Sequence, residues 1–416
     1  MDLLREAAAR FGDAEALWTS RRSWSFRELD AAVDSRAARI DTSRHTYTVA
    51  ADALTVIHLL AALRAGVAAC PISPRWPHAQ INARLADLPP EPPQGTIIFT
   101  SGSGGSPKAA VIGAECHRAS ATAVSQALEL REGDSWLLCL PMDHVGGISI
   151  VFRCLLAGAT IVIGRSRPTN QTFSRHAITH ASLVPTQLSS LLAESATGPN
   201  SEMRAVLLGG AALPEALWQQ ARVAGWPVRA SYGSTEMAST IAIADPDTRQ
   251  RAQVLPHCEL RIGVDGEIQL RGPSRFAGYA RADGLQLPFD AEGWFGSRDR
   301  GHVDANGYLQ VLGRLDHMFI SGGENVHPEE IEAALLALPG VVRACVVPVD
   351  DAEFGQRPVA YVEPESADFA ALEQSLPRFK IPIAFLPFPA STGLKPNRAE
   401  LAIAARRKFP GPHSGS

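Results

Sequence analysis

Between residues 96 and 240 this chain of 416 residues repeats one pattern. Short apolar runs rich in β-branched residues (TIIFT, SWLLCLPM, ATIVIG, RAVLLGG) alternate with helical stretches such as ISIVFRCLLAG. Runs that are apolar on both faces and separated by helices belong in a mostly parallel sheet covered on both sides, which predicts an α/β fold. Upstream, WSFRELDAAVDSRAARI reads as a strand and then a helix. HTYTVAA, LTVIHLLAALRAG and VAACPIS read as a strand-helix-strand unit punctuated by Gly66 and Pro71. LADLPPEPPQG, over 85–95, reads as a proline-rich linker.

From about residue 255 the pattern changes to short alternating strands (ELRIG, GEIQLRG, GYLQVLG), a β-rich part. Ala305-Asn306-Gly307 marks a hairpin, because Asn-Gly supplies the positive φ angles of a tight turn. Asp299 and Arg314 are expected just outside its strands. Past Asp316 and the Ser321-Gly322-Gly323 loop, Pro328 opens a helix with Glu329, Glu330 and Glu332 in its first turn, matching the helix dipole. A hairpin ending in charges before a glycine loop suggests a domain junction. The expected division is a large domain over 1–315 and a small α+β domain over 316–416, the latter with helices 328–338 and 368–376 and strands RACVVPV, RPVAYVEP and IAFLP.

Formal net charge is -4 with acids and bases mixed, so neither a nucleic-acid groove nor a polybasic membrane anchor is expected. Six scattered cysteines without CxxC spacing fit a reduced compartment. MDLLREAAARFGD reads as an amphipathic helix rather than a signal peptide, and no apolar run is long enough to span a bilayer. The expectation is a soluble cytoplasmic protein, with oligomeric state left open.

TIIFT leads straight into Ser101-Gly102-Ser103-Gly104-Gly105-Ser106-Pro107-Lys108. A Gly/Ser loop after a buried strand turns several backbone N–H groups into one concavity, which suits phosphate, and a terminal lysine adds a point charge. It is not a Walker A loop, since proline precedes Lys108 and no Ser or Thr follows it. Leu208-Gly209-Gly210-Ala211-Ala212 would let a planar ring lie on backbone. Tyr232-Gly233-Ser234-Thr235-Glu236 offers an aromatic face, a phosphate-binding hydroxyl and a carboxylate for Mg²⁺, Asp299 could accept two ribose hydroxyls, and Lys395 sits in a late Gly-Leu-Lys loop. Each has a bland reading alone: a strand cap, a helix cap, a hairpin charge, a solvated lysine. Together they supply what activation of a carboxylate by ATP requires.

TSGSGGSPKA, YGSTE, SRDRG, GRLDHMFISGGENVHPEEIE and the late GLK resemble the successive motifs of the adenylate-forming superfamily of acyl-CoA synthetases, luciferases and peptide adenylation domains. THASLVPTQL, AVLLGGAALP and Ser297-Arg298-Asp299-Arg300-Gly301 are most similar to its o-succinylbenzoate–CoA ligase branch, which serves menaquinone biosynthesis. The resemblance implies a large α/β domain with a small mobile lid, and ATP, Mg²⁺, coenzyme A and a carboxylic acid as reactants. It implies Lys395, Glu236 and Thr235 as catalytic residues, with Glu236 on the metal. Thr100, Ser101, Gly102, Ser103 and Lys108 would cradle phosphate, and Gly209, Gly210, Ala211, Tyr232 and Gly233 would flank adenine. Asp299 and Arg314 would bind ribose, Gly322 and Gly323 would pass pantetheine, and Asp316 would be the hinge. His144, Thr186, Ser239 and Arg298 are candidates for contact with the acid. His176 and His180 stand one helical turn apart with no acid evident nearby, so a metal site there is not expected. Two features depart from the pattern. Gly104 stands where the superfamily's loop has a threonine, and the stretch before the loop is short. The resemblance leaves two alternatives open, a ligase for another aryl or medium-chain acid and a nucleotide-binding homologue without activity.

Overall fold

A computed structural model describes residues 2–42, 46–48, 52–89, 91, 93–100, 107–165, 167–194, 198–249, 251–364, 368–389 and 397–410. Among them three sheets form, of 13, six and five strands. One half of the largest is parallel, in the order Val228–Ser234, Ala205–Leu208, His180–Leu183, Ser135–Leu138, Thr160–Ile163, Glu15–Trp18. The strands 135–138, 180–183 and 205–208 are buried at every residue, because the helices Val145–Ala157, Pro185–Glu194 and Glu215–Val223 return the chain between them. That is why Trp136–Leu138 and Ala205–Leu208 are apolar without alternation, while the buried polar residues Ser135, His180 and Ser182 are hydrogen-bonded.

Past Val228–Ser234 the same sheet turns antiparallel, through Ser239–Ala244, Ala252–Val254, Tyr308–Arg314, Phe295–Val303, Glu267–Arg271 and Glu259–Ile262. The β-rich part therefore continues the parallel sheet. Asp299 and Arg314 correct the sequence reading: both lie inside their strands, directly opposite each other. The hairpin turn is closed by Asp304, whose Oδ1 accepts from the N–H groups of Asn306 and Tyr308.

In the six-stranded sheet, Thr96–Thr100 pairs antiparallel with Lys108–Ile112, so the Gly/Ser stretch joins two arms of a hairpin and Lys108 opens its second arm. The supposed linker begins inside a helix, His78–Ala86, whose ending in a proline-rich stretch hid it.

The five-stranded sheet takes the chain beyond Met318. In its long strands Arg343–Asp351 and Gly355–Glu363, alternate residues face opposite sides. Val346, Ala360 and Val362 pack on Ile331 and Leu335 of the helix Pro328–Leu336. Val347, Val349 and Val359 pack on Leu401 and Ala405 of the helix Arg398–Lys408, an element not anticipated from sequence. The expected helix over 368–376 is reduced to Leu372–Ser375. No helix among the described residues is long and apolar enough to cross a membrane.

Candidate active site

In open sheets with parallel strands, ligands bind beyond the carboxyl ends of those strands. Gly209 and Gly210 follow the strand Ala205–Leu208 there, and Gly210 and Ala211 are exposed. The neighbouring strand carries Tyr232 and Gly233 near its end at Ser234 and runs into the 3₁₀ turn Thr235–Met237, which carries Glu236. Gly233 is required by crowding, since a Cβ would lie 2.2 Å from the carbonyl oxygen of Ser239. The Ser234 Oγ and Thr186 Oγ1 are buried and have no hydrogen-bond partner among the described residues.

Two polar clusters form at these strand ends. In the first, the Tyr232 hydroxyl donates to Asp299 Oδ2 at 2.6 Å, and Arg314 Nη1 donates to Asp299 Oδ1 at 3.1 Å. Arg314 also grips Asp316 through two parallel bonds of 2.9 Å, a bidentate fork. Burial works against the Arg314 charge, but the Asp316 hydrogen bonds and the Asp299 charge outweigh it and hold the guanidinium above its ordinary pKa. Burial, and then the Asp299 carboxylate, push the Tyr232 phenol well up, so it stays a donor. In the second cluster the Tyr279 hydroxyl donates to Glu236 Oε1 at 2.8 Å, and Lys108 Nζ lies 4.9 Å from the Tyr279 ring centre. Thr100 Oγ1 donates to the Lys108 carbonyl at 3.4 Å.

The hinge candidate is tied to both sides. Next to Asp316, His317 Nδ1 lies 2.6 Å from Glu329 Oε1 at the start of the helix Pro328–Leu336. Arg398 reaches Glu332 at 2.7 Å and Glu329 at 3.6 Å, so the helix that follows the Lys395 loop docks on the same acids. Gly322 and Gly323, with φ of 60° and 86°, make the tight turn between Phe319–Ser321 and Glu324–Val326, a double positive-φ turn that favours glycine.

Some expected residues fall elsewhere. Ser101, Gly102, Ser103, Gly104 and Lys395 lie outside the described residues. Arg298 is exposed at a positive φ of 64°, and its N–H donates to Glu267. His144 stands at the N-cap position of the helix Val145–Ala157 with a side chain 61% exposed. His176 does have an acid nearby: its Nε2 lies 3.0 Å from Glu15 Oε1, supplied from 161 residues upstream. His180 is on a strand, bonded to the Leu128 carbonyl and the Thr179 hydroxyl.

Sequence reading missed Arg153, which sits within the helix Val145–Ala157 and is 1% exposed. Its Nη2 donates to Ser239 Oγ at 3.2 Å and Thr240 Oγ1 at 3.1 Å, and its guanidinium lies over Trp136. Nε has no partner among the described residues, and burial pulls the guanidinium's pKa down. The available signal was an arginine inside a helix apolar on every side, since such helices are buried all round.

With this geometry, residues 88–280 match the AMP-binding enzyme family and residues 330–384 match the AMP-binding enzyme C-terminal domain. The 2-succinylbenzoate–CoA ligase of Escherichia coli K12 is 41% identical over 320 residues, covering 75% of this chain and 69% of that protein. The chain belongs to the AMP-binding enzyme family. The Bacillus subtilis 2-succinylbenzoate–CoA ligase is 34% identical over 332 residues, covering 73% of this chain and 68% of that protein. Among solved structures of the family, a variant of E. coli MenE with bound OSB-AMS superposes at a TM-score of 0.87 with 34% identity, covering 98% of each chain. B. subtilis MenE in complex with ATP and magnesium ion gives 0.83 with 27% identity, covering 96% of this chain and 99% of that one. The large and small parts of the fold correspond to the architecture of this family.

The residues present suit such ligands. Glu236 offers a carboxylate with Oε2 left over beyond its bond to Tyr279, the kind of hard oxygen that Mg²⁺ takes beside phosphate. Asp299 is fixed from two sides, and two buried hydroxyls await acceptors or donors.

Proposed function

We propose that this chain is an ATP-dependent, AMP-forming acid–CoA ligase that converts o-succinylbenzoate into its CoA thioester. The observation that carries this reading is the pair of strand-end clusters, Tyr232–Asp299–Arg314–Asp316 and Lys108–Tyr279–Glu236, in a chain of the AMP-binding enzyme family. A thiol cannot displace oxide from a carboxylate, so the acid must first be given a leaving group. In the first step a carboxylate oxygen attacks the α-phosphorus of ATP, forming acyl-adenylate and expelling pyrophosphate. In the second the CoA thiol loses its proton and attacks the acyl carbon, expelling AMP.

Asp299 accepts the ribose hydroxyls, held in place by Tyr232 and Arg314. Tyr232 and the backbone of Gly209, Gly210, Ala211 and Gly233 flank adenine. Thr100, Ser101, Gly102, Ser103, Lys108 and Thr235 serve the phosphates. Bound Mg²⁺, held by Glu236, supplies charge neutralisation on the departing pyrophosphate. The first step drives an anion against a polyanion. At ~4 Å and an effective dielectric near 20, a charge pair is worth roughly 4 kcal/mol. Lys395 between carboxylate and α-phosphate would therefore contribute on the order of 10²–10³ in rate once solvent screening is discounted. We divide the chain at Asp316, with residues 316–416 rotating so that Lys395 withdraws and the Gly322–Gly323 turn admits pantetheine.

o-Succinylbenzoate has two carboxylates. One is consumed, and the other stays anionic through both steps and needs a cation. Arg153, bonded so far to hydroxyls, supports that role better than exposed Arg298, with Ser239 and Thr186 as further pocket candidates and His144 at the rim. The reactants are small molecules, and we place the enzyme in the cytoplasm, where ATP and CoA are found, without a nucleic-acid or membrane partner. Pyrophosphate release across a panel of acids, with and without CoA, tests the reading. Release with o-succinylbenzoate, and thioester only when CoA is added, is expected. A medium-chain acid outpacing it would move the enzyme to a sibling specificity, and absence of ATP–pyrophosphate exchange with every acid would make it a non-catalytic homologue.

A further inference from the structure

Tyr279 belongs to none of the motifs that mark the site, yet it touches two of their charged residues. It lies in the strand Gly278–Arg281 and is 5% exposed. That strand pairs antiparallel with Lys108–Ile112, placing Tyr279 opposite Ala110. Lys108 is two residues from Ala110 and so shares its face of the sheet, which brings the ammonium 4.9 Å from the ring centre. On the other side, the Phe276 N–H donates to the Glu236 carbonyl at 2.8 Å, bringing the 3₁₀ turn against the Tyr279 strand. The phenol completes that join with its 2.8 Å bond to Glu236 Oε1. Phe276, fully buried, packs edge-on against Tyr279 with ring centres 4.8 Å apart and fixes the ring. Burial, and then the Glu236 carboxylate, push the phenol pKa up, so the hydroxyl remains a donor at any working pH.

We propose that Tyr279 is a positioning residue for adenylation, its hydroxyl aiming the Glu236 carboxylate at the divalent cation while its ring face holds the Lys108 ammonium in place. The inference rests on the reading of Glu236 and Lys108 given above. A terminal carboxylate torsion is broad and roughly two-fold. With Oε1 taken by the phenol, the rotation is stopped and Oε2 presents in one direction. Loss of the hydrogen bond that orients a metal-ligating group typically weakens metal binding by about 10–100-fold. The cation–π contact is weaker, and its loss should reduce phosphate affinity by about threefold to tenfold.

The test is direct binding, with Mn²⁺ as the probe. Mn²⁺ is titrated by electron paramagnetic resonance into the full-length protein with ATP, and ATP alone is titrated by calorimetry. Tyr279→Phe keeps the ring and removes the hydroxyl. It should weaken Mn²⁺ binding by about tenfold or more and raise the Mg²⁺ concentration for half-maximal adenylation to match. Metal-free ATP affinity, and thioester formation from supplied acyl-adenylate, should stay at wild-type level. Tyr279→Leu should lower metal-free ATP affinity as well, by about threefold. A merely structural tyrosine would shift the thermal midpoint without separating metal affinity from ATP affinity in this way. Glu236→Gln is measured alongside. If it abolishes Mn²⁺ binding while Tyr279→Phe matches wild type, the positioning role is overturned and the reading of Glu236 stands. If Glu236→Gln and Tyr279→Phe both match wild type, both are overturned.

Discussion

Arg314, in the hairpin corner, faces Asp299 at 3.1 Å and Asp316 at 2.9 Å, whereas Arg153, inside the helix Val145–Ala157, has hydroxyls as its hydrogen-bond partners. Arg314 is held above its ordinary pKa by the two aspartates despite its burial, while burial alone draws Arg153 below. A buried cation without a counter-charge is costly, and proteins usually pair it. The first corner is electrostatically finished before any ligand arrives, and a finished corner suits neutral hydroxyls such as those of ribose. The second is unfinished, which suits a ligand that brings its own carboxylate. On this account affinity for nucleotide is built from geometry, and selectivity for a dicarboxylic acid from an uncompensated charge.

Neither arginine is assigned to the reacting centre. Lys395→Ala should therefore give the largest loss, about 10²–10³ in acyl-adenylate formation, with thioester formation from supplied acyl-adenylate retained. Separate assays of the two half-reactions check this, and equal loss in both would break the two-orientation scheme. Gly323→Leu should do the reverse. No atom lies within 4 Å of its would-be Cβ, but a φ of 86° strains any side chain there, so the adenylation rate and thermal midpoint are read alongside to separate a distorted turn from a blocked passage.

Arg153→Met should come next, lowering kcat/KM for o-succinylbenzoate by about 10²-fold, since truncating one partner of a buried charge pair costs roughly 2–5 kcal/mol. Its thermal midpoint without substrate should be unchanged or higher, because replacing a buried charge with a packed apolar chain is often neutral or stabilising. A clear fall in the midpoint would mean that the fold, rather than the ligand, uses the charge. Asp299→Asn should raise the KM for ATP by about tenfold or more while leaving the KM for the acid alone, as hydrogen bonds to charged groups are worth about 1.5–3 kcal/mol. Smallest is Tyr232→Phe, with a rise in the KM for ATP of about threefold to tenfold, because Arg314 still holds the Asp299 carboxylate once the phenol bond is gone. A larger effect on the acid than on ATP in either variant would erase the division between the corners.

Motifs made the nucleotide corner legible and the acid corner opaque, for physical reasons. Asp299, Arg314 and Asp316 stand within one 18-residue stretch, close enough to be read together, although their register across the hairpin was not. Arg153 meets Ser239 and Thr240 from 86 and 87 residues away, a juxtaposition only the folded sheet creates. Tyr279 reads as an ordinary strand aromatic until the pairing of its strand with Lys108–Ile112 is known. The parallel half of the sheet was plain where its strands are buried and apolar, as in Trp136–Leu138, Ile161–Val162 and Ala205–Leu208. The helix Arg398–Lys408 escaped because only Leu401 and Ala405 of its residues are buried, too little to stand out as an apolar stripe.

The division between the corners is tested most directly by crossing two acids with two enzymes. 3-Benzoylpropionate keeps the succinyl arm and ring of o-succinylbenzoate and lacks the ring carboxylate. Wild-type protein should prefer o-succinylbenzoate in pyrophosphate release by about 10²-fold, the value of one buried charge pair, and Arg153→Met should bring the two acids to near equality. A preference that survives intact in Arg153→Met would contradict that division.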